Sequence, residues 1–458
     1  VARMEHPPLI LRANWVLPIS SEPLPNGEVV VENGQIVEVR PQPNTRKASD
    51  VLDFGDAILM PGLVNAHCHL EYTALRGLND RTPFFAWVRG LVELKAQMPT
   101  ELWLPSAMLG AAECIASGIT FIADNTDSGV SAEVLARAGL RGRVYQEMFG
   151  IGKEPNDETL LHQLNERLTT LRKTIEKHEA TARISLGVSP HAVYTVRDSL
   201  LKALAHFAQQ QNLPISIHAS ESSEEVALTR SGSGPFAEMF AQRGIDYLHP
   251  RMPPVEYLHQ AGVLSPATQL VHCVRVEPYE IPFIAEANAA VAHCPRSNAR
   301  LLTGVAPIYE LRRRGVRIGL GTDSVVSSGN FDLLEELRYG ALMQRAHAYT
   351  AQPSWRDWVT LATLGGAASL GVDNQIGSLE PGKRADIIAL RTQRLAFSQM
   401  PDPYAALVLV ARSEDVACVI VDGAILYQDG NWCTIEPDKI RAKLTALIDE
   451  RKRPTVAS

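Results

Sequence analysis

Two histidines one residue apart, His67 and His69, close an apolar run that reads Leu63-Val64-Asn65-Ala66. In a strand, residues two apart point to the same side, so both imidazoles share one face. Neutral imidazole is a common zinc ligand, but a His-x-His pair alone is a weak motif. Three further patterns raise its weight. His218-Ala219-Ser220-Glu221 closes a second apolar run, Leu270-Val271-His272 ends a third, and Gly321-Thr322-Asp323-Ser324 ends a fourth. Three histidines and an aspartate with room for water describe a catalytic zinc site, not a closed structural one. Zinc lowers the pKa of bound water to about 7. A glutamate and a histidine left beside the metal, Glu221 and His272, can then move protons.

These residues need a frame. From about Pro61, short apolar strands alternate with amphipathic helical stretches. Strands are expected at 63–69, 120–125, 144–149, 184–189, 215–218, 270–272, 290–293 and 318–322, with helices between them, for example at 157–179 and 307–314. Eight such units imply an α/β fold, a (β/α)8 TIM barrel. Each chemistry-bearing residue falls at the C-terminal end of its strand, the face where barrels build active sites. The flanks read differently. Residues 29–37 form a hairpin with an Asn33-Gly34 turn. Strands return after about Gly371, at 385–390, 416–421 and 424–428, punctuated by Asp422-Gly423 and Asp429-Gly430. The expected organisation is a barrel over 61–371 and a small β-sandwich domain made from 1–60 and 372–458.

Composition excludes several classes. The 458 residues are 45% hydrophobic with a net charge of −7, and the pI is near 6.0. No Lys/Arg block points to nucleic acid or an anionic membrane surface. Apolar runs such as 405–411 are too short to span a bilayer, and no basic-then-apolar leader is visible. A cytoplasmic protein is expected. The six cysteines form no CxxC pair and no dense framework, which fits free thiols in a reducing compartment. Cys68, Cys273 and Cys294 each adjoin a histidine, and strand alternation is expected to turn them away from the inward face.

The motifs together resemble the amidohydrolase superfamily, in its branch of mononuclear-zinc deaminases and chlorohydrolases. The resemblance runs through Pro61-Gly62-Leu63-Val64-Asn65-Ala66-His67, Ser189-Pro190-His191-Ala192, His293-Cys294-Pro295-Arg296-Ser297-Asn298 and Gly321-Thr322-Asp323-Ser324, and ends at Gly377-Ser378-Leu379-Glu380-Pro381-Gly382. It implies that His67, His69, His218 and Asp323 bind one Zn2+ per subunit, with Fe2+ or Mn2+ also compatible with the donors. It implies that Glu221 shuttles a proton to the ring nitrogen and then to leaving ammonia, that His272 orients water and stabilises the oxyanion, and that Asp323 accepts the first proton. Binuclear members carry a carboxylated lysine after the fourth strand. Here Ser189-Pro190-His191 stands there, which implies one metal and leaves His191 to touch substrate.

The resemblance also implies a small purine-like substrate with water, no nucleic acid or membrane partner, and a homodimer or larger homo-oligomer. Glu71, Phe84, Trp87, Arg296, Asn298 and Ser324 are the further substrate-binding candidates. Phe84, Phe85 and Trp87 can stack on a planar ring, line an apolar wall or serve as ordinary helix packing. Arg296 and Asn298 can position the ring or brace their loop. Deaminases of S-adenosylhomocysteine, methylthioadenosine and adenosine usually carry a glutamate just before the tryptophan of the capping segment, where this chain has Phe84-Phe85-Ala86. His69-Leu70-Glu71 with Phe85-Ala86-Trp87 is more similar to aminodeoxyfutalosine deaminases of menaquinone biosynthesis, in which Glu71 would contact the sugar or the tail. A triazine-type chlorohydrolase is the rival enzyme reading, and Glu221 favours ammonia as the leaving group. A metal-free scaffold relative would show broken ligands, and none is broken.

Overall fold

In a computed structural model of the chain, residues 8–42 and 51–452 are described. The 1–7, 43–50 and 453–458 parts of the expected flank domain lie outside them. Eight parallel strands form the barrel: β1 (Leu63–Cys68), β2 (Ile119–Thr126), β3 (Arg141–Met148), β4 (Ile184–Pro190), β5 (Ile215–Ala219), β6 (Thr268–His272), β7 (Ala290–His293) and β8 (Arg317–Leu320). They are hydrogen-bonded in sequence order, as successive βα units require. Both faces of each strand are covered, so the strands read as continuous apolar runs. The ring closes just past β8. The Asp323 amide donates to the His67 carbonyl at 3.0 Å. The Asn65 side chain donates to Thr322 Oγ1 at 2.8 Å and accepts from the Thr322 amide at 3.1 Å.

The expected strands are all present, with ends displaced by a few residues. The helix Asp157–Lys177 shows why the pattern was readable. Asn156 caps it by accepting from the Thr159 amide, and Leu160, Leu164, Leu168, Leu171 and Ile175 form its buried stripe.

The two flanks join in one nine-stranded mixed sheet. The expected hairpin pairs Leu24–Glu32 with Gln35–Pro41. Its turn residues Asn33 and Gly34 have φ of 52° and 76°, as a type I′ turn demands. The halves meet where Ala57–Pro61 runs antiparallel to Ile387–Arg391. Leu11, Val29, Ile36, Leu59, Ile387 and Ile420 share a core there, separate from the barrel's. Buried Arg141 of β3 clamps sheet to barrel through Asp386, at 2.8 Å, and Asp422. The carboxyl flank also holds a helix, Pro437–Lys452, which sits against the barrel helix Trp103–Ala116.

All six cysteines are free, and only Cys433 is exposed. For Cys294 the alternation expected from sequence is reversed. It joins Ala66, Phe121, Tyr145 and Val271 in the apolar cluster inside the barrel, whereas His293 lies 6.3 Å from the Trp358 ring. Among the described residues, no helix is long and apolar enough to cross a membrane.

Candidate active site

Backbone conformation at the strand ends aims the functional side chains. Ser220, His272 and Asp323 have φ of 51°, 74° and 56°, a left-handed region that costs non-glycine residues about 1–3 kcal/mol each. The strain falls on the ends of β5, β6 and β8, at the mouth of the barrel. Gly321 serves closeness instead. A β-carbon there would stand 2.8 Å from the His67 carbonyl oxygen and 2.9 Å from its β-carbon.

His67, His69 and His218 bring ligand nitrogens within 4.8 Å of one another. Asp323 Oδ1 lies 3.6 Å from both His67 Nε2 and His69 Nε2. The other side of each group is spoken for. His69 Nδ1 meets the Asn125 carbonyl and His218 Nδ1 the His191 carbonyl, each at 2.9 Å. A carbonyl can only accept, so both Nδ1 atoms carry the proton and both Nε2 lone pairs face the centre. Asp323 Oδ2 accepts from Ser297 Oγ at 2.6 Å and Ser327 Oγ at 2.9 Å, leaving Oδ1 to the histidines. His67 is fully buried with both ring nitrogens unpartnered. An orphaned buried imidazole is costly, and a cation at this point would take up the lone pair of one of its nitrogens. The donor set fits a zinc-type ion.

Electrostatics agree with that fit. Burial first, and then neighbouring imidazoles, pushes His69 and His218 well below the usual histidine range, which keeps them neutral. Burial alone would raise Asp323, but His67, with Nε2 3.6 Å from Oδ1, and the other imidazoles around it outweigh that and hold the carboxyl well below its usual range. Burial, followed by Asp323 and Glu225, drives Glu221 well upward. Glu221 Oε1 stands 3.5 Å from His272 Nε2. His272 is itself oriented by Asn298 Oδ1, 2.9 Å from its Nδ1, and burial lowers its pKa to about 4.

A cavity of about 170 Å³ opens over this cluster. His69, His218, Glu221, His272 and Asp323 form its floor, and Phe84, Trp87, His191 and Ser324 are on its wall. Glu71, Arg296 and Asn298 are not. The Glu71 carboxylate accepts from the Asp127 and Ser128 amides and from Thr126 Oγ1 and Ser128 Oγ, which ties it to the segment after β2. Asn298 acts on His272. Arg296 donates to Glu336 at 2.6 Å, to Asn330 Oδ1 at 2.7 Å, and to Glu335. Its loop-bracing alternative is the one the geometry supports. Removing one member of such a buried pair costs about 3–5 kcal/mol. Arg296→Met is therefore expected to lower unfolding stability by that amount in urea titration. The KM of the protein that remains folded should not move, and a raised KM at unchanged stability would reverse the assignment.

The structure adds wall groups that the sequence reading missed. Glu147, Lys95, Phe149 and Tyr194 line the cavity. Glu147 is 1% exposed with Oε1 unpartnered. Lys95 donates to Tyr72 Oη at 2.6 Å. Both had a signal. Glu147 stands two residues after inward-facing Tyr145 at the end of β3, and Lys95 continues the 84, 87, 88, 91, 92 stripe of the Phe84–Gln97 helix.

Fold and site together define a barrel hydrolase. The amidohydrolase family model matches residues 58–426. The chain is 34% identical to a 5′-deoxyadenosine deaminase of Methanothermobacter thermautotrophicus, covering 90% of this chain and 91% of that one. It is 32% identical to a 5-methylthioadenosine/S-adenosylhomocysteine deaminase of Symbiobacterium thermophilum, covering 95% and 97%. An adenosine deaminase from Xanthomonas campestris, crystallised with bound zinc, superposes with a TM-score of 0.85 at 28% identity, covering 97% and 98%. The chain belongs to the amidohydrolase family. Within it the chain is a hydrolytic deaminase that acts on C–N bonds.

Proposed function

We propose that this enzyme deaminates an adenine nucleoside whose 5′ oxygen is replaced, using one zinc ion held by His67, His69, His218 and Asp323. The observation that carries the reading is the convergence of the His67, His69 and His218 ligand nitrogens and Asp323 Oδ1 beside buried Glu221, whose carboxyl is driven well upward by burial. When bound, the ion would supply a nucleophilic water at neutral pH. Glu147 and His191 also bring ligand atoms within 4.8 Å of His218. His218 has one nitrogen left once Nδ1 donates to the His191 carbonyl, so two ions would compete for it. One ion is the consistent reading.

Water and the 6-amino base exchange into ammonia and the 6-oxo base. Glu221 hands its proton to the ring nitrogen beside the carbon under attack, then carries the remaining proton of the attacking water to the departing amine, and regains its own from the proton held on Asp323. His272, neutral and fixed by Asn298, accepts a hydrogen bond from the attacking water. Asp323 accepts the proton that water gives up. Phe84 and Trp87 wall the ring, with His191 and Ser324 as polar contacts.

The similar proteins act on 5′-deoxyadenosine and on 5-methylthioadenosine/S-adenosylhomocysteine. Aminodeoxyfutalosine, favoured by the motif around His69 and Trp87, shares their adenine and a 5′ carbon that carries no hydroxyl. The test is turnover of these compounds by the zinc-loaded enzyme, read as the ultraviolet change from adenine to hypoxanthine. One compound turned over much faster than free adenosine supports the reading. Zinc bound stoichiometrically with no turnover of any of them would overturn it.

A further inference from the structure

Glu221 stands two residues past the end of β5, beyond Ser220, whose φ of 51° is a conformation that a non-glycine residue keeps only when its surroundings hold it. The hold is visible on both sides of the backbone. The carbonyls belong to the loop after β6: the Cys273 amide donates to the Ala219 oxygen at 3.1 Å and the Arg275 amide to the Ser220 oxygen at 2.7 Å. The amides belong to one side chain. Glu225 Oε1 accepts from the Ser220 amide at 3.1 Å, and Oε2 from the Glu221 amide at 2.7 Å.

Glu225 is the third residue of the helix Ser223–Ser231, which Ser222 caps by accepting from the Glu225 amide at 3.2 Å. A glutamate at this place ordinarily turns back to the amide of the capping serine. The hydrogen bonds of this one run further back, to the segment that carries Glu221. The residue is fully buried and is not part of the cavity wall. Burial pushes its carboxyl up to about 8, and in either protonation state each oxygen keeps a lone pair for its amide. The loop that takes the carbonyls starts at His272, whose Nε2 is 3.5 Å from Glu221 Oε1. One clamp therefore fixes the backbone that sets this distance.

We infer that Glu225 is a positioning residue for the deamination: through the amides of Ser220 and Glu221 it holds the Glu221 carboxyl at the point of proton transfer, and it touches neither metal nor substrate. It has this role only because Glu221 carries the proton, as proposed above.

The test measures kcat and KM for 5′-deoxyadenosine, with zinc content, in the zinc-loaded parent, Glu225→Gln, Glu221→Gln and the double variant. Glutamine keeps the length of the side chain but offers one accepting oxygen to two amides, so the segment must shift. Glu225→Gln is expected to lower kcat about 10- to 100-fold, as a misplacement of about 1 Å does, with KM within about twofold and zinc unchanged. In the Glu221→Gln background the same change should cost less than about threefold, because no proton carrier is left to misplace. A merely structural glutamate would lower the active fraction by the same factor in both backgrounds. That result would overturn the inference, and so would a kcat for Glu225→Gln within about twofold of the parent. If Glu225→Gln does not fold, Glu225→Asp, which keeps two accepting oxygens on a chain one bond shorter, runs the same cycle under the same two criteria. Full activity in Glu221→Gln would instead remove the proton-carrier reading, and the role of Glu225 with it.

Discussion

Glu221→Gln is expected to lower kcat by about 10²- to 10⁴-fold, with KM close to that of the parent and bound zinc unchanged. The substitution keeps the shape of the side chain and removes its ability to exchange a proton. Glu221 is 3% exposed, so bulk water does not replace it. The one titratable group beside it in the site with a free nitrogen is His272, at 3.5 Å. That imidazole is held neutral by burial, with its pKa near 4, and it is a poor donor at neutral pH. The loss should therefore fall on the chemical step and not on binding. Single-turnover rates and zinc analysis separate the cases. Activity within about tenfold of the parent would remove the proton-transfer role, and loss of zinc would show that the variant damages the metal site instead.

The barrel and the centre of its site were legible because two periodicities coincide in them. Two-residue alternation puts His67 and His69 together. The βα repeat then places strand ends that are hundreds of residues apart, such as His67 and Asp323, on one rim. What was not legible depends on partners distant in sequence. Glu71 reads as a substrate ligand next to the His-x-His motif, yet the turn after β2 consumes its carboxylate. Arg296 reads as a group that positions the ring, yet Glu335 and Glu336 from the Leu333–Ala348 helix claim it. The sequence carries the partners but not their direction. Cys294 shows the same limit at short range. Alternation says that one of His293 and Cys294 points inward, and only the packing around β7 decides that it is the thiol.

Asp323→Asn should strip the enzyme of its metal and of its activity while leaving it folded. The carboxylate divides its work: Oδ2 accepts from Ser297 and Ser327, and Oδ1 faces His67 and His69. In the amide, the oxygen keeps the two hydroxyl donors, since they need an acceptor. That turns the amide nitrogen, a pure donor, toward the point where the Nε2 lone pairs converge. A cation there would lose a negative ligand and face N–H groups in a buried site where little water screens them. Zinc content after dialysis against a weak chelator should fall from about one per chain to a small fraction of that, and turnover should fall with it. Thermal unfolding should remain cooperative but lose its dependence on added zinc. In the parent, an ion present at about a thousandfold over its Kd would add about 4 kcal/mol of stability, and chelation should remove this and zinc restore it. A variant that keeps full zinc and full turnover would show that Oδ1 is not a ligand. A parent whose stability ignores both chelator and zinc would show that the three histidines do not hold an ion.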